Sequence, residues 1–270
     1  MEATDALASA PKRSAGRRLA GLFHGRPRLQ AGALLAAPAG WLIVLYLGSL
    51  AVLLVAAFWG VNALSGEIER TLSSDNFKTL VDDPVYRTIA QRTIIIAALV
   101  TITDALLAFP IAFYMAKVAS RRGKALLVVA ILMPLWSSYL VKVYAWRTIL
   151  STDGVLNWAL DPLGAHGPGY GNVAVWLVMS YLWLPYMVIP IFAGLERIPD
   201  SLLSASEDLG ASPLTTFRRV ILPLVFPAVV AGSIFTFSLT LGDYITPSLV
   251  SNNQFIGNVI FNNITNNLPL

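Results

Sequence analysis

The chain has 270 residues, 56% of them hydrophobic and only 13% charged, with a formal net charge of +4. A soluble domain of this size would have about a quarter of its residues charged. Here the charges fall into short clusters between long uncharged runs, the pattern of a polytopic helical membrane protein. The lack of cysteine excludes disulfides, thiol chemistry and cysteine-based metal sites, and His24 and His166 have no ligand-like spacing, so no metal is expected. The basic residues sit beside apolar runs, which assigns them to membrane topology and not to nucleic acid.

Residues 1–30 read as a basic tail, Ala-, Ser-, Arg- and Gly-rich and disordered to about Gly25. Residues 31–270 read as one transmembrane domain. The first span is expected from about Leu34 to Phe58, followed by a stretch with Glu67, Glu69, Asp75, Asp82 and Asp83 that is too charged for lipid. The second span runs from about Thr93 to Met115, with Asp104 and Pro110 inside it, and a basic loop follows at Lys117 to Lys124. The third runs from about Ala125 to Tyr144. A Gly-, Pro- and Asp-rich loop then carries one short amphipathic helix near Val155 to Leu160. The fourth span covers about Asn172 to Leu195, and the fifth runs from about Pro223 to Thr246. The Asn-rich tail beyond is too polar to span. The fold class is all-α and polytopic, with five spans. The positive-inside rule places the N-terminus, the Lys117–Lys124 loop and the segment with Arg197, Arg218 and Arg219 in the cytoplasm. Pro110, Pro134, Pro185 and Pro190 fall within spans, where they either loosen a helix for movement or set a static kink.

Between the fourth and fifth spans, residues 199–223 form a polar segment suited to docking on another protein. Leu202, Leu203, Ala205 and Leu209 recur at helical spacing. Gly210 suits a left-handed helix end, and Ser212-Pro213 reads as an N-cap followed by the first helical position. Val220, Ile221 and Leu222 lead back into the membrane, with Pro223 allowing a bend.

This spacing resembles the coupling loop of the membrane subunits of bacterial ABC importers. That loop reads Glu-Ala-Ala, three residues, Gly, nine residues, Ile, one residue, Leu-Pro; here Ser204-Ala205-Ser206, Gly210, Val220 and Leu222-Pro223 occupy those places. The usual glutamate is absent, and Glu207 would project from a different place on the helix. The resemblance implies a helical bundle like that of type I importer permeases. It assigns coupling to an ATPase subunit to Ser204, Ala205, Glu207, Asp208, Gly210, Ala211, Leu222 and Pro223. The chain has no phosphate-cradling Gly-x-x-x-x-Gly-Lys-Ser/Thr segment. No cofactor is expected on this chain; ATP and Mg are expected on separate ATPase subunits.

The passages Tyr144 to Asn157 and Leu241 to Ile264 are similar to the spermidine/putrescine branch, in particular the first permease of each pair. The resemblance extends from about Ala33 onward. It implies a second permease, two ATP-binding subunits, a periplasmic substrate-binding protein, a polyamine substrate, a lipid surround and a location in the bacterial inner membrane. A carboxylate inside a span is costly and normally faces a path or the protein interior. Asp104 and Asp243 are therefore candidate substrate-path residues, with Tyr244, Trp136 and Tyr139 as aromatic partners for a cation. Related permeases carry iron, sulfate and other small solutes, so the substrate stays open on the residues alone. An ATP-independent carrier using Asp104 and Asp243 as ion relays, and a non-transporting membrane anchor, are the readings from other classes. Family members continue past an Asn-Trp-Pro or Asp-Trp-Pro passage into a sixth span. This sequence reads Asn267-Leu268-Pro269 and ends at Leu270, so that span is either missing from the product or beyond the sequence in hand.

Overall fold

Each expected apolar run is helical in the computed structural model, which describes residues 27–61 and 68–265. The basic tail up to position 26, the stretch 62–67 and residues 266–270 lie outside the described residues. The chain divides into two units, residues 1–77 and 78–270. In the first, helix α1 (Pro27–Trp41), a π turn (Leu42–Leu47) and α2 (Gly48–Ala56) run on without interruption. The first span within them, Leu34–Ala56, is apolar on every face. A hairpin of β1 (Trp59–Val61) and β2 (Ile68–Leu72) follows, a small departure from the all-α expectation. The expectation read this stretch only for charge and overlooked its β-competent Trp59, Val61, Ile68 and Thr71. Asn76 Nδ2 ties the hairpin down through the carbonyls of Ala57 and Trp59, at 3.1 and 2.9 Å.

Helix α3 (Asp75–Asp82) crosses the division and leads to α4 (Pro84–Phe113). Asp83 caps α4 by accepting from Val85 N at 2.8 Å, and Pro84 takes the first helical position. That start signal lengthens the second span beyond the expected Thr93–Met115: with the π turn at Tyr114–Val118 it covers Pro84–Val118.

The third span is not one straight helix, contrary to expectation. It is α5 (Arg121–Trp136) and α6 (Tyr139–Leu150), bent by 92°. Ser137 and Ser138 take extended backbone between them. The break leaves the carbonyl of Pro134 without a helical donor, and two side chains take it: Ser137 Oγ at 2.8 Å and Lys142 Nζ at 2.9 Å. These small polar residues sit inside an apolar run, where hydropathy alone does not register a break.

The short helix α7 (Val155–Leu160) forms as expected, and α8 (Asn172–Glu196) is the fourth span with Pro185 and Pro190 inside it. Helix α9 (Asp200–Asp208), α10 (Pro213–Thr216) and a π turn (Phe217–Ile221) make the elbow. The fifth span continues through α11 (Leu222–Gly242) and stops there instead of reaching Thr246, because Asp243 turns extended. Two short helices finish the described chain, α12 (Ile245–Val250) and α13 (Ile256–Thr265).

Helices α4, α8 and α11 pack against one another at the centre of the second unit. Two apolar clusters form around them. One joins α4 and α8 to α6 and contains Val100, Val143, Val178 and Leu182; the other joins α4, α8 and α11 and contains Ala108, Met187, Ile191 and Val225. Asp104 lies between Val100 and Ala108, where the two meet. Close helix approach rests on glycine: a Cβ on Gly232 would stand 2.7 Å from Met187 Sδ. Lys117 and Lys124 bond to Asp200 and Glu196, so the basic loop and the elbow share one end of this unit. At the other end Arg92 donates to Gln254 O, and Gly171 N to Val250 O.

Candidate functional site

Two places gather the sequence-derived candidates. At the elbow, α9 ends on Gly210, whose φ of +74° lies in the left-handed region. This turn lets Gly210 N donate to Glu207 O at 2.8 Å and Ala211 N to Ser206 O at 3.1 Å, closing carbonyls the helix end would leave open. Ser212 caps α10 by accepting from Thr215 N, with Pro213 next. Ser206 is buried and hydrogen-bonds Thr216 at 2.8 Å, joining α9 to α10. Ser204, Ala205, Glu207, Asp208, Gly210, Leu222 and Pro223 are exposed, and Ala211 is half-buried. Leu209 is 88% exposed beside them. The arrangement is a short rigid helical projection with an apolar tip, which can be received by a partner's surface.

At the far end, Asp243 occupies the break between α11 and α12. Its Oδ1 accepts from the backbone N–H groups of Ile245 and Thr246, at 2.9 and 3.2 Å. Its Oδ2 accepts from Thr246 Oγ1 at 2.7 Å and from the Tyr139 hydroxyl. Tyr139 is the first residue of α6, so this carboxylate joins the break in the third span to the break in the fifth. Gly257 of α13 seats beneath it, since a Cβ there would lie 2.7 Å from the Asp243 carbonyl oxygen. Asn258 Nδ2 donates to Tyr244 O at 2.8 Å and Ser248 Oγ at 2.6 Å, and the Tyr244 ring stacks on Phe261 at 4.3 Å. Beside this knot opens a cavity of about 360 Å³, lined by Tyr139, Trp183, Ser238, Leu239, Gly242, Asp243 and Tyr244. The Tyr139 and Trp183 rings stack with centroids 5.9 Å apart. A positioned carboxylate with aromatic side chains lining the same cavity suits an ammonium group.

Asp104 and Trp136 do not join this cluster. Asp104 is fully buried at the contact of the second span with its neighbours, and neither carboxylate oxygen has a hydrogen-bond partner among the described residues. The hydroxyl of Ser180 on α8 is likewise buried without a hydrogen-bond partner among the described residues. A carboxylate so placed is costly. Trp136 ends α5 at the break and is 91% exposed. Sequence reasoning singled out none of Thr246, Trp183, Gly257 and Asn258 as site residues. Thr246 stands three residues after Asp243 in a capping pattern that could have been noticed. Asn258 meets its partners only through the fold.

A family model described as "Binding-protein-dependent transport system inner membrane component" matches residues 90–268. The chain belongs to this family. It is therefore a multi-pass inner-membrane permease component of an ABC importer. Among curated relatives, "Inner membrane ABC transporter permease protein YdcU" of Escherichia coli (strain K12) is 42% identical over 267 residues, covering 93% of this chain and 85% of that protein. The "Spermidine/putrescine transport system permease protein PotB" of the same strain is 32% identical over 199 residues, 72% of each. A chain of the bacterial alginate ABC transporter, solved in complex with alginate pentasaccharide-bound periplasmic protein, superposes with a TM-score of 0.66 at 16% identity. That match covers 89% of this permease and 86% of that chain, and it establishes the fold alone.

Proposed function

We propose that this permease moves polyamines of the spermidine and putrescine class from periplasm to cytoplasm by alternating access, driven by ATP. The observation that carries the substrate class is the Asp243 cavity. The Asp243 carboxylate accepts four hydrogen bonds from the protein's own N–H and O–H groups, which fix its position beside Tyr139, Trp183 and Tyr244. The relationship to PotB supports the same class. Trp136, exposed at the break before Tyr139, meets the solute outside the Asp243 cavity. Asp104 joins the path when the central helices shift and open it.

The elbow supplies the coupling. Ser204, Ala205, Glu207, Asp208, Gly210, Ala211, Leu222 and Pro223 form the surface and base that an ATPase subunit engages. Two such subunits bind ATP and Mg, and this chain binds no cofactor. A second permease completes the pathway, a periplasmic binding protein delivers the solute, and lipid covers the apolar spans. The N-terminus and the elbow face the cytoplasm, as their basic residues require.

The test is uptake of labelled spermidine, putrescine and a neutral solute by proteoliposomes holding the complete transporter, with binding protein outside and ATP inside. ATP-dependent uptake of the polyamines alone, insensitive to collapse of the proton gradient, is the expected result. Uptake driven by an ion gradient without ATP would overturn the importer mechanism. ATP-driven uptake of another solute only would overturn the polyamine assignment.

A further inference from the structure

The second span ends in the π turn Tyr114–Val118, and Lys117 sits within it. Its ammonium reaches across to the turn between α8 and α9, donating to Ile198 O at 2.6 Å and to Asp200 Oδ1 at 2.8 Å. The lysine side chain is 11% exposed, against 85% for its aspartate partner. The lysine is thus the enclosed, positioned member of the pair. Ile198 is buried, and its carbonyl precedes Pro199, which has no N–H to help order the turn. A second lysine grips the same turn from α5: Lys124 Nζ donates to Glu196 Oε1 at 2.7 Å and lies 5.9 Å from the Phe192 ring centroid. Glu196, Ile198 and Asp200 are thereby held in succession by a strap only seven residues apart at its lysines. Within the elbow, Ser206 of α9 is fastened to Thr216 of α10, which leads through the π turn into the fifth span. Phe217, in the π turn at that base, meets Phe109 of the second span edge to face at 5.2 Å.

We propose that Lys117, assisted by Lys124, is the positioning residue that locks the coupling elbow to the second span. An elbow displacement is then delivered to the helix that carries Asp104 and is not dissipated in the Arg197–Pro199 turn. This rests on the reading of 199–223 as the docking elbow. It also gives that elbow a charged anchor on the membrane body at its N-terminal end. The triplet Ser204-Ala205-Ser206 contributes neutral contacts within the elbow, from Ser204 Oγ to Asp200 O and between Ser206 and Thr216.

The chain has no cysteine, so paired labels can be placed without background. Spin labels at Arg122→Cys and Ser201→Cys, both exposed positions, report the strap-to-elbow distance in the complete transporter in nanodiscs, with and without ATP. One narrow distance in both states is expected, and Lys117→Arg keeps it. Lys117→Met broadens it and lowers solute moved per ATP hydrolysed by about ten- to a hundredfold, the equivalent of losing charge-assisted hydrogen bonds. A wild-type distance that changes with ATP, or a Lys117→Met protein with unchanged distance and coupling, would overturn the proposal. The distance is read whatever solute is carried, so failure of polyamine transport leaves this test intact. If no ATPase subunit binds, the docking reading fails, and the label width of Lys117→Met against wild type in the full chain decides the lock by itself.

Discussion

Substitution at Gly210 separates backbone conformation from packing more cleanly than any other position in the elbow. The residue has φ +74°, and a Cβ built on it would meet nothing within 4 Å. Any side chain there therefore has room, and what it loses is only the ease of the left-handed turn. For an ordinary L-residue that turn costs about 1–2 kcal/mol, less for asparagine; a β-branched residue is a genuine outlier there. The hydrogen bonds Gly210 N to Glu207 O and Ala211 N to Ser206 O depend on the turn, and with them the presentation of Leu209. If the elbow docks in this conformation, a penalty of that size weakens binding by about five- to thirtyfold. The assay is titration of the ATPase subunit onto nanodisc-held permease carrying Gly210→Asn, Gly210→Ala and Gly210→Val. Affinity should fall in that order, with valine worst, while thermal unfolding of the spans stays near wild type because the position is exposed. Equal affinity for valine and glycine would refute the reasoning.

Gly257→Ala brings a Cβ to within 2.7 and 2.9 Å of the Asp243 carbonyl group, backbone that cannot swing aside. It should destabilise by about 1–3 kcal/mol, read as an earlier thermal melt, and reduce ATP-driven uptake by displacing Asp243. Asp104→Asn replaces an unpartnered buried carboxylate with a neutral isostere. We expect equal or higher thermal stability with impaired transport; a stability loss of about 3–5 kcal/mol would instead reveal a buried ionic partner. The elbow anchor has a pH signature, because the hydrogen bond and charge of Lys117 hold the Asp200 carboxyl below its ordinary range. A depressed folded-state pKa contributes stability above the ordinary carboxyl pKa of about 3.9 and loses it only as pH falls through the lower folded value. Label mobility at Ser201 should therefore be flat from about pH 8 to pH 5 and rise only in stronger acid.

The elbow was legible in the sequence because its determinants are local. Gly210, Ser212 and Pro213 each act on the backbone within a few residues, so their types announced the helix end, the cap and the restart. Spans were legible from hydropathy, and the second began earlier only because Asp83 and Pro84 supply a start signal outside the apolar run. The breaks were less legible. Ser137-Ser138 sits inside an apolar run that hides it from hydropathy, with Lys142 closing Pro134 O from eight residues away; Asp243 is capped locally by Ile245 and Thr246, and only its bond to Tyr139 crosses the fold. The carboxylates Asp104 and Asp243 were visible as costly residues in apolar surroundings. Asp243 draws three of its four donors from Ile245 and Thr246 just after it and the fourth from Tyr139 across the fold, whereas Asp104's lack of a partner among the described residues follows from which helices meet. Lys117 read as a topology signal; its grip on Ile198 and Asp200 spans about eighty positions and has no local pattern.

If Asp243 and its aromatic neighbours receive a polyamine in an ATP-driven permease, ATP hydrolysis in the reconstituted transporter with loaded binding protein will depend on both the solute and that carboxylate. Wild type compared with Asp243→Asn across spermidine, putrescine and a neutral solute should show stimulation by the polyamines alone and its loss in Asp243→Asn. Equal stimulation by the neutral solute, or undiminished polyamine stimulation in the variant, would contradict that assignment.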